Sequence, residues 1–247
     1  MNGLMPIMEN SASCVQGGSH IKGLTHKSAT DHIPATGRAT HLAWLALIAI
    51  GGIVYFVVAV VVLHFLRPDY NPITHAVSNY AVGPYGYLMT AAFYALALSV
   101  FALALSLFRS IALTNLTRSA ILLLCLASCG MIVMGIFPGD VHALHPPATM
   151  TGVVHWTAAG ASFLSIMIAA FLLSSSFKTD ERFQRFQRPC YILAWGMVGA
   201  LLVYGILALV GWIGVGQRIY IAVCLLWLLV LAGWIWSISS SLCLKIS

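Results

Sequence analysis

Residues 135–155 place Asp140, His142, His145 and His155 beside three prolines, in a chain of 247 residues of which only 7% are charged. Three chemistries suit these side chains. Asp140, His142 and His155 offer a carboxylate and two imidazoles, a donor set that would hold zinc with an open position and activate water. A histidine, His75 or His155, would instead act as general base for Ser78 or for a bound hydroxyl, with Asp140 orienting it. The same groups would also bind a phosphate or carbohydrate headgroup, with Arg67 and Arg218 supplying positive charge. The spacing Asp-x-His-x-x-His is specific to none of the three, so the chemistry stays open among them.

The rest of the chain has to position these residues inside a membrane. It is 60% hydrophobic, whereas a soluble domain carries roughly 25% charged residues. A spanning helix needs roughly 20 mostly apolar residues. Six stretches qualify: about 41–66, 85–108, 119–137, 148–177, 189–210 and 217–244. The expected fold class is therefore all-α, a polytopic bundle of six transmembrane helices over residues 41–247. Residues 1–40 are polar and without periodicity, which predicts a disordered cytoplasmic tail. They lack the charged region, short apolar core and cleavage site of a signal peptide.

Ten of the twelve Lys and Arg fall in the tail, the 2–3 and 4–5 connections and the C-terminus; only Arg67 and Arg218 fall on the other side. Basic residues collect in cytoplasmic loops, so both termini are expected in the cytoplasm of a cell (inner) membrane protein. The net charge of +6 is read through that topology, and no nucleic-acid partner is expected. The 4–5 stretch Lys178–Arg188 repeats Arg every three residues. It reads as a loop anchor whose Phe183 and Phe186 dip into the interface.

The two long outward connections then hold the polar residues. Asn71-Pro72 and Gly83-Pro84 bracket a segment in which Ile73, Val77 and Tyr80 share one helical face and His75, Ser78 and Asn79 another. This predicts a short amphipathic helix over 71–82, lying at the extracytoplasmic interface. On the fourth span, Ala148, Thr151, His155, Ala159 and Ser162 form a small, polar stripe. With Pro147 in the first turn, His155 sits about 12 Å below the helix start and should face the bundle interior. Paired axial histidines need partners at matched depth, and only His155 lies opposite His41 and His64, so no haem is expected. The six cysteines read as packing residues, and Trp44, Trp156, Trp212, Trp227, Trp234 and Trp236 as interface belts.

The segments Arg67-Pro-Asp-Tyr-Asn-Pro, Ser78-Asn-Tyr-Ala-Val-Gly-Pro, Ile136-Phe-Pro-Gly-Asp140 and Gly152-Val-Val-His155 together resemble a known family. It is the group of bacterial and archaeal six-helix membrane proteins catalogued as a domain of unknown function, number 998. The resemblance covers about residues 41–244. It implies the fold and the membrane location, brings no established activity, and points to Pro68, Tyr70, Ser78, Pro138, Asp140 and His155. Where the family often has an acidic residue after the serine, this chain has Asn79. A more distant likeness of residue types, to seven-helix hydrolases of the alkaline ceramidase type, implies a zinc site. This chain lacks their His-x-x-x-His pair on a late helix.

The expected function is that of a multi-pass membrane protein with an outward-facing pocket of Asp, His and Ser. It would process or bind a lipid or lipid-linked headgroup, as a zinc-dependent hydrolase or transferase if it is an enzyme. Ser78, His75, Asp140 and His155 would act on the ligand, and Arg67, Tyr70 and Arg218 would contact it. A small-solute carrier and a non-catalytic assembly subunit are the alternatives.

Overall fold

A computed structural model describes residues 35–141 and 148–244. Among them the chain forms six long helices: α1 (Ala35–Leu66), α2 (Gly86–Ser110), α3 (Asn115–Ile136), α4 (Met150–Ser176), α5 (Glu181–Leu209) and α6 (Ile213–Leu244). All six are long and apolar enough to cross a membrane. Each helix packs on its neighbour in sequence and α6 returns to α1, closing a ring. The 1–2, 3–4 and 5–6 connections lie at one end of the bundle, called distal below, opposite Ala35 and Leu244.

Small residues and serines allow the close approaches. On α4 the buried face runs Gly152, His155, Ser162, Ser165 and Ile166, and a Cβ at Gly130 of α3 would fall on the Ser162 hydroxyl. Ser162 Oγ donates to the Ala127 carbonyl at 3.2 Å, and Ser128 Oγ to that of Ala97 at 2.8 Å. In a bilayer, packing of this kind replaces the hydrophobic drive that is missing between helices.

Three expectations are revised. First, α1 begins at Ala35, within the stretch read as tail; residues 1–34 lie outside the described residues. Second, the stretch 181–188 is no loop but the start of α5, capped by Asp180, with Pro189 inside the helix. Its Phe spacing is helical, so Phe183 and Phe186 are buried, stacking on Phe177 and Trp234 respectively. Third, Trp227 is fully buried in the core and is no interface residue.

Candidate functional site

The 1–2 connection is folded by its own charges. Arg67, only 4% exposed, pairs with Asp69 at 2.7 Å and donates to the carbonyls of Val82 (2.7 Å) and Pro84 (3.0 Å). Its guanidinium lies 4.2 Å from the centre of the Tyr70 ring. The hydrogen bond from Arg67 holds the Asp69 carboxyl below its ordinary pKa. Asn71 does not start an α-helix. Its Oδ1 accepts the Ile73 N–H two residues on, at 2.8 Å, an Asx turn. The helix expected over 71–82 is therefore only a 3-10 helix, Val77–Ala81, with Val77, Asn79 and Tyr80 buried.

This connection lies across the start of α6. The Ile73 carbonyl accepts the N–H groups of Gly214 (2.9 Å) and Val215 (3.3 Å), two donors that a helix start otherwise leaves unpaired. A Cβ at Gly214 would fall on the carbonyls of Pro72 and His75. Those carbonyls accept from Arg218 Nη1, both at 2.9 Å. The Val77 N–H donates to Gln217 Oε1 at 2.7 Å. Asn79 Nδ2 donates to the Val141 carbonyl at 3.3 Å, a bond that a carboxylate in its place could not make.

The start of α4 is built the same way. Thr149 is the N-cap, its Oγ1 accepting the Gly152 N–H at 3.0 Å. Asp140 Oδ2 accepts the N–H groups of Ala148 (2.8 Å) and Thr149 (3.0 Å), and Oδ1 accepts the Thr149 hydroxyl at 2.6 Å. Negative charge is favoured at a helix N-terminus. The Thr149 hydroxyl first, then the two backbone donors, hold the Asp140 carboxyl below its ordinary pKa. The helix starts at Met150, so His155 lies about 8 Å below its start, shallower than expected.

His155 is 2% exposed. Its Nδ1 lies 2.8 Å from the Phe137 carbonyl; a carbonyl only accepts, so Nδ1 carries the proton. In the neutral ring Nε2 is then left with a lone pair. That Nε2 is buried and has no hydrogen-bond partner among the described residues. The ring packs edge-on against Phe93 at 6.0 Å between centroids. Gly139 lies over the ring, where a Cβ would come 3.2 Å from Cδ2.

His155, Ser78 and Gln217 line one cavity of about 210 Å³, together with Trp156, Phe163 and Tyr204. On this measure one water needs roughly 10–15 Å³, so the space suits a group of several heavy atoms. The same three polar residues line an inner, apolar pocket of about 40 Å³ against Phe93, Met131 and Ile166. Neither the Ser78 hydroxyl nor the Gln217 amide nitrogen makes a hydrogen bond among the described residues. The cavity therefore offers an acceptor at His155, a donor at Gln217 and either at Ser78. Such a set binds a polar group, and a histidine in this tautomer can take a proton from a hydroxyl. Trp227 and Trp234 also bury an unpartnered Nε1, but neither lines this space.

The residues singled out in the sequence thus separate into two groups. Ser78 and His155 share the cavity. His75 packs on the Tyr70 ring and lies 3.2 Å from the Asn71 carbonyl through Nδ1, outside the cavity wall. Asp140 serves the α4 start, while Arg67, Tyr70 and Arg218 brace the 1–2 connection. His142 lies outside the described residues, and among those described no three His, Cys, Asp or Glu converge as metal ligands. In the sequence Gln217 stands as the first residue of an apolar run and carries no motif. Its signal is a polar side chain one helical turn after Gly214, on the face that the 1–2 connection covers.

A family model described as "Protein of unknown function (DUF998)" matches residues 49–234. No curated protein and no solved structure matches the chain.

Proposed function

The chain belongs to the DUF998 family, and from that premise we propose that it binds an amphiphile, a lipid or lipid-linked molecule, with the headgroup in the distal cavity. One observation carries this reading: the buried, unpartnered Nε2 of His155 shares a cavity with two other uncommitted polar groups. A buried polar atom without a partner costs roughly 1–3 kcal/mol. A ligand donating to Nε2 recovers that loss, which no residue of the described chain does. Should the bound molecule be processed, His155 is the base and Ser78 a hydroxyl in the same wall.

The chain of the amphiphile has to lie outside the inner pocket, since about 40 Å³ holds only about three waters. The cavity wall itself supplies the way out. Gly160 of α4 stands in it between Trp156 and Phe163, and nothing approaches within 4 Å of the place where its Cβ would be. Tyr204 of α5 lines the same cavity. An apolar chain leaving between α4 and α5 would rest in the bilayer. The apolar inner wall favours such a ligand over a small polar solute.

Gly160→Leu tests this directly. The substitution fills open space and improves helix propensity by up to about 1 kcal/mol, so thermal stability should hold or rise. Photolabelling uses a diazirine-bearing long-chain lipid, offered as a monoacylglycerol and as its phosphate ester. Label from either on α4 and the 1–2 connection supports the reading, and Gly160→Leu should cut it about tenfold. Undiminished label in the variant would remove the proposed path.

The cavity lies toward the end that bears Arg67 and Arg218, and we read that end as extracytoplasmic because Lys and Arg collect at the other. In a cysteine-free background, a membrane-impermeant maleimide should label Thr74→Cys in intact cells and Lys178→Cys only after permeabilisation. The reverse pattern would invert the topology.

A further inference from the structure

Resting on the amphiphile reading above, we infer that the cavity selects an uncharged headgroup, one that carries a hydrogen-bond donor beside an acceptor, and rejects phosphorylated lipids. Arg67 and Arg218 are the cations at this end, and both are committed elsewhere. Arg67 is neutralised by Asp69, with Nε and Nη2 on that carboxylate and Nη1 on two carbonyls. Arg218 Nη1 serves the carbonyls of Pro72, His75 and Gly214, while Nη2 reaches the Tyr80 hydroxyl at 3.5 Å. Neither lines the cavity; Arg218 borders a separate groove between α1 and α6.

The carboxylates are committed in the same way, Asp69 to Arg67 and Asp140 to the α4 start. Among the described residues, then, no Lys, Arg, Asp or Glu lines the cavity. An anionic or cationic headgroup there would be stripped of water with no counter-charge, a much larger penalty than that for a neutral group. The polar groups agree with this. His155 Nδ1 is spent on Phe137, so Nε2 asks for a donor, and a fully ionised phosphate has none. Gln217 has its Oε1 occupied by Val77 and offers N–H, which asks for an acceptor. A hydroxyl meets both demands, as does a secondary amide.

The test is competition against the monoacylglycerol photolabel, using full-length protein in phosphatidylcholine nanodiscs. Unlabelled monoacylglycerol should compete at a concentration at least tenfold lower than its phosphate ester of the same chain. His155→Asn, which keeps a donor for Phe137, and Ser78→Ala should each weaken the monoacylglycerol and narrow that difference. Equal or stronger competition by the phosphate ester overturns the uncharged headgroup while leaving the cavity reading in place, because both then label the same wall. Label from neither lipid, or label confined to other helices, overturns both.

Discussion

His155→Asn is expected to leave the bundle folded and weaken ligand binding at least tenfold, whereas His155→Ala is expected to damage both. The asparagine amide nitrogen can occupy roughly the place of Nδ1 and donate to the Phe137 carbonyl, now served at 2.8 Å. What it lacks is an atom in the place of Nε2. Alanine instead leaves that carbonyl unpaired and opens a hole beside Phe93 and Gly139, where the ring now packs. Truncating a buried side chain of this size and orphaning its partner together cost about 2–4 kcal/mol. Thermal unfolding in detergent reads the fold, and photolabelling reads the site. In Asn the binding should drop at least tenfold with little change in unfolding temperature; in Ala both should fall. If Asn were as unstable as Ala and still took the label, His155 would be only a brace between α4 and the end of α3.

How much of this could be seen in the sequence depends on how local the cause is. Six apolar runs sufficed for six helices, because length and hydropathy in a bilayer leave few other structures. The burial of His155 followed from helical spacing together with the cost of an ionisable side chain at that depth in a bilayer. The start of α5 did not, because a run of Arg and Gln followed by Pro189 looks like a loop until Phe183, Phe186 and Cys190 are seen to fall on one buried face. Asn71-Pro72 carried two meanings, helix cap and Asx turn, and the second prevailed because the Ile73 carbonyl is drawn onto the start of α6. The charged residues misled most. Arg67, Asp140 and Arg218 read from the sequence as groups facing a ligand, yet each is spent on backbone or, for Arg67, also on Asp69. Their partners lie on other elements, as with Arg218 and the carbonyls of Pro72 and His75, and one chain's spacing carries no record of such bonds. Gly160 shows the opposite case: it matters for the side chain it lacks, which only the packing around it makes visible.

Gly152→Ala is the second large effect expected, although it adds a single methyl. A Cβ at this position would fall on the Asp140 carboxylate, so the carboxylate must leave or α4 must shift away. The displaced carboxylate would give up the N–H groups of Ala148 and Thr149 and the Thr149 hydroxyl, unpairing the donors that start α4. Overpacking a close approach typically costs about 1–3 kcal/mol, and Gly152→Ala should lie in the upper part of that range despite alanine's better helix propensity. Thr149→Ala, which removes the cap and the hydroxyl donor to Asp140 but leaves the carboxylate on its two backbone N–H groups, should cost about 1–2 kcal/mol. The binding site responds as well, because His155 follows Gly152 by three residues on the same buried face. Acid gives the independent check. The Asp140 carboxyl has its pKa lowered from 3.8 by the Thr149 hydroxyl and the backbone donors, so its contribution is complete above that value and is lost as pH falls through the lower, folded one. The share of stability due to Asp140 should therefore stay level from neutral pH down to about pH 5 and decline below 3.8. Asp69 and Asp180, also lowered, add to that decline and persist in Asp140→Asn, which should lose only its own share. An acid profile unchanged in Asp140→Asn, with Gly152→Ala as stable as the parent, would mean that the carboxylate does not hold the start of α4 and is free to face a ligand.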